Sequence, residues 1–312
     1  MTEQNTTEHR STTNTKSTAD TKDTRDTRDT ADTADTQHAA GSRALTVLVT
    51  AATGKTGRRV VERLTAAGLR VRAGSRTGET VFDWETPDTW GPALKGADLA
   101  YVNYFPDLAA PGAIAAMRAF GQEAAAAGVR RLVLLSGRGE PEAVFSEVAL
   151  ADAGVPVTVV RGAFFAQNFS EGWLGEGLEQ GEIAFPAGET GEPFVDAEDL
   201  ADVLVAALTD ERHAGRTYEI TGPRVVTFAE AAAEISRAIG REIRYIPVSR
   251  DEYRAGLEAS GLPPAEAAWL TELFGMLLDG HNASTTDGVR EVLGREPRDF
   301  AEFARREWGG GN

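Results

Sequence analysis

A three-residue apolar run, Val47-Leu48-Val49, empties into a turn of small residues over 50–57, and the turn opens directly onto a helical stretch. Val60, Val61, Leu64 and Ala67 recur there at helical spacing, and Gly68 closes the stretch. The strand–turn–helix unit then repeats. Residues 71–76 read as a second strand, 81–83 as a short third and 97–105 as a fourth. A helix starting at Pro111 carries Ile114, Met117 and Phe120 on its inner face and stops at Gly128. Residues 129–136 are a near-continuous apolar strand, a helix follows around 146–153, and 155–160 form another strand. Strands apolar on both faces and separated by helices imply a parallel sheet covered on both sides, the doubly wound α/β class.

The second half is mixed. Asp196 is placed to cap a helix on which Leu200, Val203, Leu204, Ala207 and Leu208 share one face. Residues 218–221 and 242–248 read as strands. Thr227 with Glu230, and Ser249 with Glu252, are capping boxes that open two further helices, the first ending at Gly240. Helices are expected over 263–279, 287–293 and 298–308. No clean linker divides residues 44–312. They are therefore expected to form one unit, with a sheet core at 44–162 and a smaller α/β part at 163–312 that completes the sheet and covers the substrate site.

Residues 1–43 read differently. They hold no Val, Ile, Leu, Phe, Trp or Tyr, and from Asp20 they repeat Asp-Thr-x six times. A period of three without apolar side chains buries nothing, so the segment is expected to be disordered. It carries no apolar stretch of the secretory kind, and no later stretch is long and apolar enough for a membrane span, which predicts a cytoplasmic protein with no membrane partner. A net charge of −16 argues against nucleic acid. The absence of cysteine excludes disulfides, thiolate metal sites and cysteine nucleophiles. The four histidines, His9, His38, His213 and His281, are not spaced as ligands, so no metal is expected. Oligomeric state is not legible.

The strongest chemical signal is the turn itself, Thr50-Ala51-Ala52-Thr53-Gly54-Lys55-Thr56-Gly57. Unpaired N–H groups at a helix start suit a pyrophosphate, and glycines let backbone and phosphate approach. A P-loop would need a glycine five positions before Gly54, where Val49 stands. The turn resembles the V-T-G-A-T-G-x-x-G loop of the NmrA-like branch of the atypical short-chain dehydrogenases. The stretch Thr158-Val159-Val160-Arg161-Gly162-Ala163-Phe164-Phe165-Ala166-Gln167-Asn168-Phe169 is similar to that family's T-x-x-R-x-x-x-F-x-x-N block, and residues 194–201 to its V-D-x-x-D-I-A block. Residues 287–289, 293–295 and 297–300 resemble the tail of its ergot-alkaloid-reductase-like members. The resemblance runs from about Leu45 onward. It implies a Rossmann fold and a nicotinamide cofactor without fixing a substrate. Two positions depart from the family pattern. Ala51 replaces the first glycine, and its methyl fits a turn of negative φ. Ala143 stands where relatives often carry a histidine.

The expected cofactor is NADP(H). After strand two the chain has Ser75-Arg76 and no acid before Glu79. NAD binders place an acid there, whereas Arg76 offers a bidentate contact for a 2′-phosphate, or is simply a solvated arginine. The resemblance puts Ala51, Thr53, Gly54, Lys55, Thr56 and Gly57 at the pyrophosphate, and Asp83 at the adenine or in a plain turn. The crevice at the strands' carboxyl ends holds Asn103, Ser136 and Gly162 beside the cofactor. Phe105, Phe164, Phe165 and Trp173 supply an aromatic pocket or belong in part to the core, and Asn168 lines it or ties its own loop. The candidate catalytic side chains are Tyr104 and Glu147. Glu147 orients or protonates the substrate, or else binds backbone or an arginine such as Arg138 or Arg161. No tyrosine has lysine four residues on, and no G-x-S-x-G elbow occurs. The expected activity is hydride transfer to a small unsaturated substrate: a quinone, an iminium ion or a conjugated carbonyl. A non-catalytic NADP(H) sensor, and an isomerase or cyclase on the same fold, are the alternatives.

Overall fold

A computed structural model describes residues 44–310, so the expectation for residues 1–43 lies outside the described residues. The first half contains β1 (Thr46–Val49), α1 (Lys55–Ala66), β2 (Arg70–Ser75), β3 (Thr80–Val81), α2 (Trp90–Leu94), β4 (Leu99–Val102), α3 (Ala113–Ala126), β5 (Arg131–Gly137), α4 (Pro141–Ala151) and β6 (Val157–Gly162). Two 3-10 turns, Ala166–Asn168 and Trp173–Leu178, lead to β7 (Glu182–Phe185), β8 (Gly191–Glu192), α5 (Ala197–Thr209) and β9 (Thr217–Ile220). Then come β10 (Val226–Thr227), α6 (Phe228–Ile239), β11 (Arg244–Pro247), α7 (Arg250–Ala259), α8 (Pro264–Leu277), α9 (Gly288–Leu293) and α10 (Phe300–Trp308).

Seven strands pair in the order β3-β2-β1-β4-β5-β6-β9, all parallel. The order reverses between β1 and β4, which places the crevice of such a sheet at their carboxyl ends. The side-chain period of two sorts the strands between two cores. Val47 and Val49 face α1 and α5, whereas Leu48 faces α3 and α4; Leu99 and Tyr101 oppose Ala100 and Val102 in the same way. A third core, rich in phenylalanine, fills the C-terminal part among Phe169, Phe185, Phe194, Phe228, Phe300 and Phe303. Short ladders β8–β10 and β7–β11 border it.

The capping expectations hold. Asp196 accepts from Glu198 N, and both capping boxes form. Three expectations need correction. The fourth strand stops at Val102 because the Asn103 N–H turns to Thr50 Oγ1, 2.8 Å away, instead of continuing a ladder. The third strand is Thr80–Val81, since Asp83 is folded into a turn. Ile114 sits at the edge of the α3 inner face and is 41% exposed, while Met117 and Phe120 are buried. No helix among the described residues is long and apolar enough to cross a membrane.

Candidate active site

The turn after β1 is pinned on both sides. Thr50 N donates to Tyr101 O at 3.0 Å on β4, and Ala52 N donates to Gly74 O at 3.1 Å on β2. Gly54 N then donates to Ala51 O at 2.9 Å and α1 begins. Its cap, Gly54, offers no side chain to the first-turn N–H groups, and no acid lies in that turn. Those donors are left for an anion. Gly57 completes the cradle: a Cβ there would come 2.1 Å from Ala51 O, a distance no side chain tolerates. Ala51 corrects its expectation. Its φ is +48°, so the methyl is carried in the left-handed region rather than in a negative-φ turn.

Two expected cofactor contacts are used internally. Thr56 is buried with Oγ1 2.8 Å from the Tyr101 hydroxyl, and Asn103 Nδ2 donates to the same Oγ1 at 3.4 Å. Burial pushes the Tyr101 hydroxyl well up. The Asn103 carbonyl accepts from Trp84 Nε1 at 2.9 Å. Thr53 is exposed at the turn. Lys55 leaves the turn to donate to Asn168 Oδ1 at 2.9 Å, joining two of the sequence blocks, and burial holds its ammonium below the usual lysine range. Arg76 is exposed just after β2. Asp83 serves its own turn: Oδ1 accepts from Glu85 N at 3.1 Å, and the carbonyl accepts from Trp90 Nε1 at 2.8 Å.

At the ends of β5 and β6, Glu147 is fully engaged. Its Oε1 accepts from Ser136 Oγ at 2.7 Å and Arg161 Nε at 2.9 Å, and its Oε2 accepts from Arg161 at 2.6 Å. Glu147 in turn holds the Arg161 guanidinium above its ordinary value. Gly162 has its open side filled by Phe165 and Leu200, within 3.0–3.4 Å of where a Cβ would stand. Ala143, at the departed histidine position, is buried in the core.

The aromatic residues expected in one pocket are not brought together. Tyr104 and Phe105 line a recess of about 500 Å³ with Trp84, Trp90, Pro106 and Pro111. Phe105 is 74% exposed there, and the Tyr104 ring meets Trp84 edge-on at 5.0 Å. Phe164 instead packs into the third core against Phe185, Phe194, Phe228 and Phe274. Phe165 bridges to Val195 and packs on the α1–α5 core. The side chain of Trp173 lies outside the described residues. Asp107 and Glu140, which are not among the residues expected from the sequence, stand just beyond β4 and β5. Their only signal in the sequence is that position after a strand end.

A parallel sheet of this order, with a glycine-built anion cradle where β1 meets α1, defines a Rossmann-type dinucleotide-binding protein. No family model matches the chain. It is 34% identical over 282 residues to the (4-alkanoyl-5-oxo-2,5-dihydrofuran-3-yl)methyl phosphate reductase of Streptomyces griseus, covering 83% of this chain and 96% of that protein. It is 30% identical over 280 residues to the NAD(P)H azoreductase of Xenophilus azovorans, with 83% and 96% covered. Among solved structures it superposes on NmrA, a negative transcriptional regulator, with a TM-score of 0.64 and 19% identity over 85% of this chain and 96% of that one. The chain belongs to the NmrA-like branch of the atypical short-chain dehydrogenase/reductase family. It is an enzyme of the NAD(P)H-dependent reductase class.

Proposed function

We propose that the protein is an NADPH-dependent reductase of a small, flat, unsaturated molecule, a quinone, an iminium ion or a conjugated carbonyl, working without a Tyr-x-x-x-Lys pair. The observation that carries this reading is the cradle at α1: Gly57 lies against Ala51 O where a Cβ would come to 2.1 Å, below a helix start that has no side-chain cap. The cradle fits a nicotinamide dinucleotide. The first-turn N–H groups over Gly54–Gly57, with Ala51 and Thr53 shaping the turn, would hold its pyrophosphate, and Arg76 its 2′-phosphate. When bound, the cofactor supplies hydride.

The chain's own residues position the reactants. Lys55, fixed by Asn168, places a cation beside the phosphate site. Tyr104 keeps its proton, because burial and then the Glu85 charge raise its hydroxyl, so it donates to a substrate oxygen entering the aromatic recess. Glu147 acts as a positioning residue through Ser136 and Arg161. Catalysis is then mostly orientation beside a polarising donor.

The test is turnover. Purified protein is mixed with NADPH or NADH and a panel of quinones, cyclic iminium ions and conjugated carbonyls, and loss of reduced-nicotinamide absorbance is followed. Oxidation of NADPH by at least one panel member, faster than of NADH, is expected. Tight NADPH binding with no turnover across the panel would sink the reading in favour of cofactor sensing.

A further inference from the structure

Two carboxyl groups that the proposed function leaves unassigned meet where β4 and β5 end. Asp107 lies in the turn after β4, and Glu140 immediately precedes α4. Glu140 is only 7% exposed. Its carboxyl occupies the space over Gly137, the last residue of β5, where an added Cβ would stand 2.0 Å from Oε1 and 2.5 Å from Oε2. Glycine at 137 is thus what admits the group. The two carboxyl groups lie within interaction range of each other, and a proton held between them removes the repulsion of two like charges. Asp107 Oδ1 also accepts from Ala109 N at 2.7 Å. Glu140 Oε2 is buried and has no partner among the described residues.

The fold does not account for the pair. Glu140 makes no side-chain cap on α4, whose first residue is Pro141, and the helix is tied to the segment after β4 by Ser146 Oγ donating to Leu108 O at 2.7 Å. An unpartnered buried oxygen is costly, so one held at a strand end beside the crevice points to something that arrives there. The other charges near Glu140 are also acidic: Asp107, Glu142 and Glu147. The nearby Arg138 guanidinium is turned to Glu219, the Asn282 carbonyl and Ser284. Burial first, and then the Asp107 charge, push the Glu140 carboxyl far above the usual range, and burial raises Asp107 too.

We propose that the Asp107–Glu140 pair is the proton source of this reductase, passing a shared proton to the substrate atom that hydride addition leaves anionic. The inference rests on the reductase reading above. Once hydride has added to the electrophilic carbon, the π-electrons of the C=O or conjugated system move onto oxygen or the far carbon. The O–H bond of the pair breaks toward that atom, its electrons stay on the carboxylate, and solvent water later returns the proton. An iminium ion becomes a neutral amine on taking hydride and needs no proton. The pair therefore marks quinones and conjugated carbonyls as the substrate class.

A rival lies nearby. Glu192 on β8 is also buried, with Oε1 unpartnered, and burial pushes its carboxyl up to about 7 against the opposing charges of Arg138 and His281. The experiment separates the two and has a readout that needs no cofactor. In the protein alone, infrared spectra at about pH 8 should show a protonated-carboxyl band that Glu140→Gln removes, Asp107→Asn shifts or removes, and Glu192→Gln leaves unchanged. With a quinone that the native enzyme reduces, Glu140→Gln and Asp107→Asn should each lower kcat by about 10²–10⁴-fold while NADPH affinity is kept. Turnover of an iminium ion should change less than tenfold. Asp107→Asn keeps the test alive should Glu140→Gln misfold. A band unchanged in both variants, or lost only in Glu192→Gln, overturns the pair as proton store. Unchanged quinone kcat in a folded Glu140→Gln overturns it as donor. No turnover by the native protein overturns the reductase reading itself and the donor role with it, leaving the infrared band to report on the shared proton alone.

Discussion

At Ala51 the chain holds an L residue at φ +48°, a conformation glycine adopts freely. The left-handed region costs such a residue about 1–2 kcal/mol, and glycine's greater freedom in the unfolded chain takes back about 0.5–1 kcal/mol. Ala51→Gly is therefore expected to raise stability by about 0.5–1 kcal/mol, read as a higher urea midpoint at constant m-value. An unchanged or lower midpoint would mean that the methyl makes contacts worth as much as the strain. The proposed preference for NADPH rests on the exposed Arg76. Arg76→Ala should weaken NADPH binding by about 1.5–3 kcal/mol, the scale of a hydrogen bond to a charged group, and leave NADH unaffected in fluorescence titration. Equal losses for both would remove the 2′-phosphate assignment.

Between elements, the strongest electrostatic feature is the seam of α1 and α5. Arg59 Nε meets Glu198 Oε1 and Arg63 meets Glu198 Oε2, each at 2.5 Å, while Arg63 Nε reaches Asp202 at 2.7 Å. Burial alone would raise Glu198, but the hydrogen bonds from Arg63 and Arg59 hold it down at about 2. A carboxyl depressed in the folded state binds fewer protons there than when unfolded. Its contribution is thus complete above the ordinary carboxyl range and is lost as pH falls through the folded value. Glu198→Gln should lower Tm near neutrality, and the gap from the native protein should close as pH approaches about 2; a pH-independent gap would mean that packing, not charge, is lost. Glu198 lies in a block recognisable in the sequence, but its arginine partners lie more than a hundred residues away and are not. What is legible is local. The apolar run at Val47-Leu48-Val49, buried on both faces, and the caps at Asp196, Thr227 and Ser249 depend on neighbours in the chain, and they appear as expected. Phe164 and Phe165 show the limit. Aromatic content marks both for a pocket, yet one points to the third core and its neighbour to the α1–α5 core. Asp107 and Glu140 meet only through the pairing of β4 with β5, which no spacing encodes.

Across the whole molecule, the segment around α10 fastens α5, which packs on α1, to the third core. Asp199 has no exposed side-chain surface and pairs with Arg295 at 2.7 Å and with Arg298, whose N–H also donates to it at 2.7 Å. Arg306 reaches Asp196 at 2.8 Å, and Phe300 and Phe303 enter the third core. Asp199→Ala should cost about 3 kcal/mol, the low end for breaking a buried pair because both arginines stay partly hydrated, measured by chemical denaturation. A loss below about 1 kcal/mol would show the contact to be incidental. The same fastening sets a clock on synthesis. The turn after β1, β2 and β4 leave the ribosome early, but Asp199 meets Arg298 only 99 residues later. At the usual pace of translation that is roughly 5–20 s, during which Asp199 lacks its arginines and the third core is open to water. A nascent chain of this design is born needing shelter over its unfinished half, well after the turn at 50–57 has all its residues.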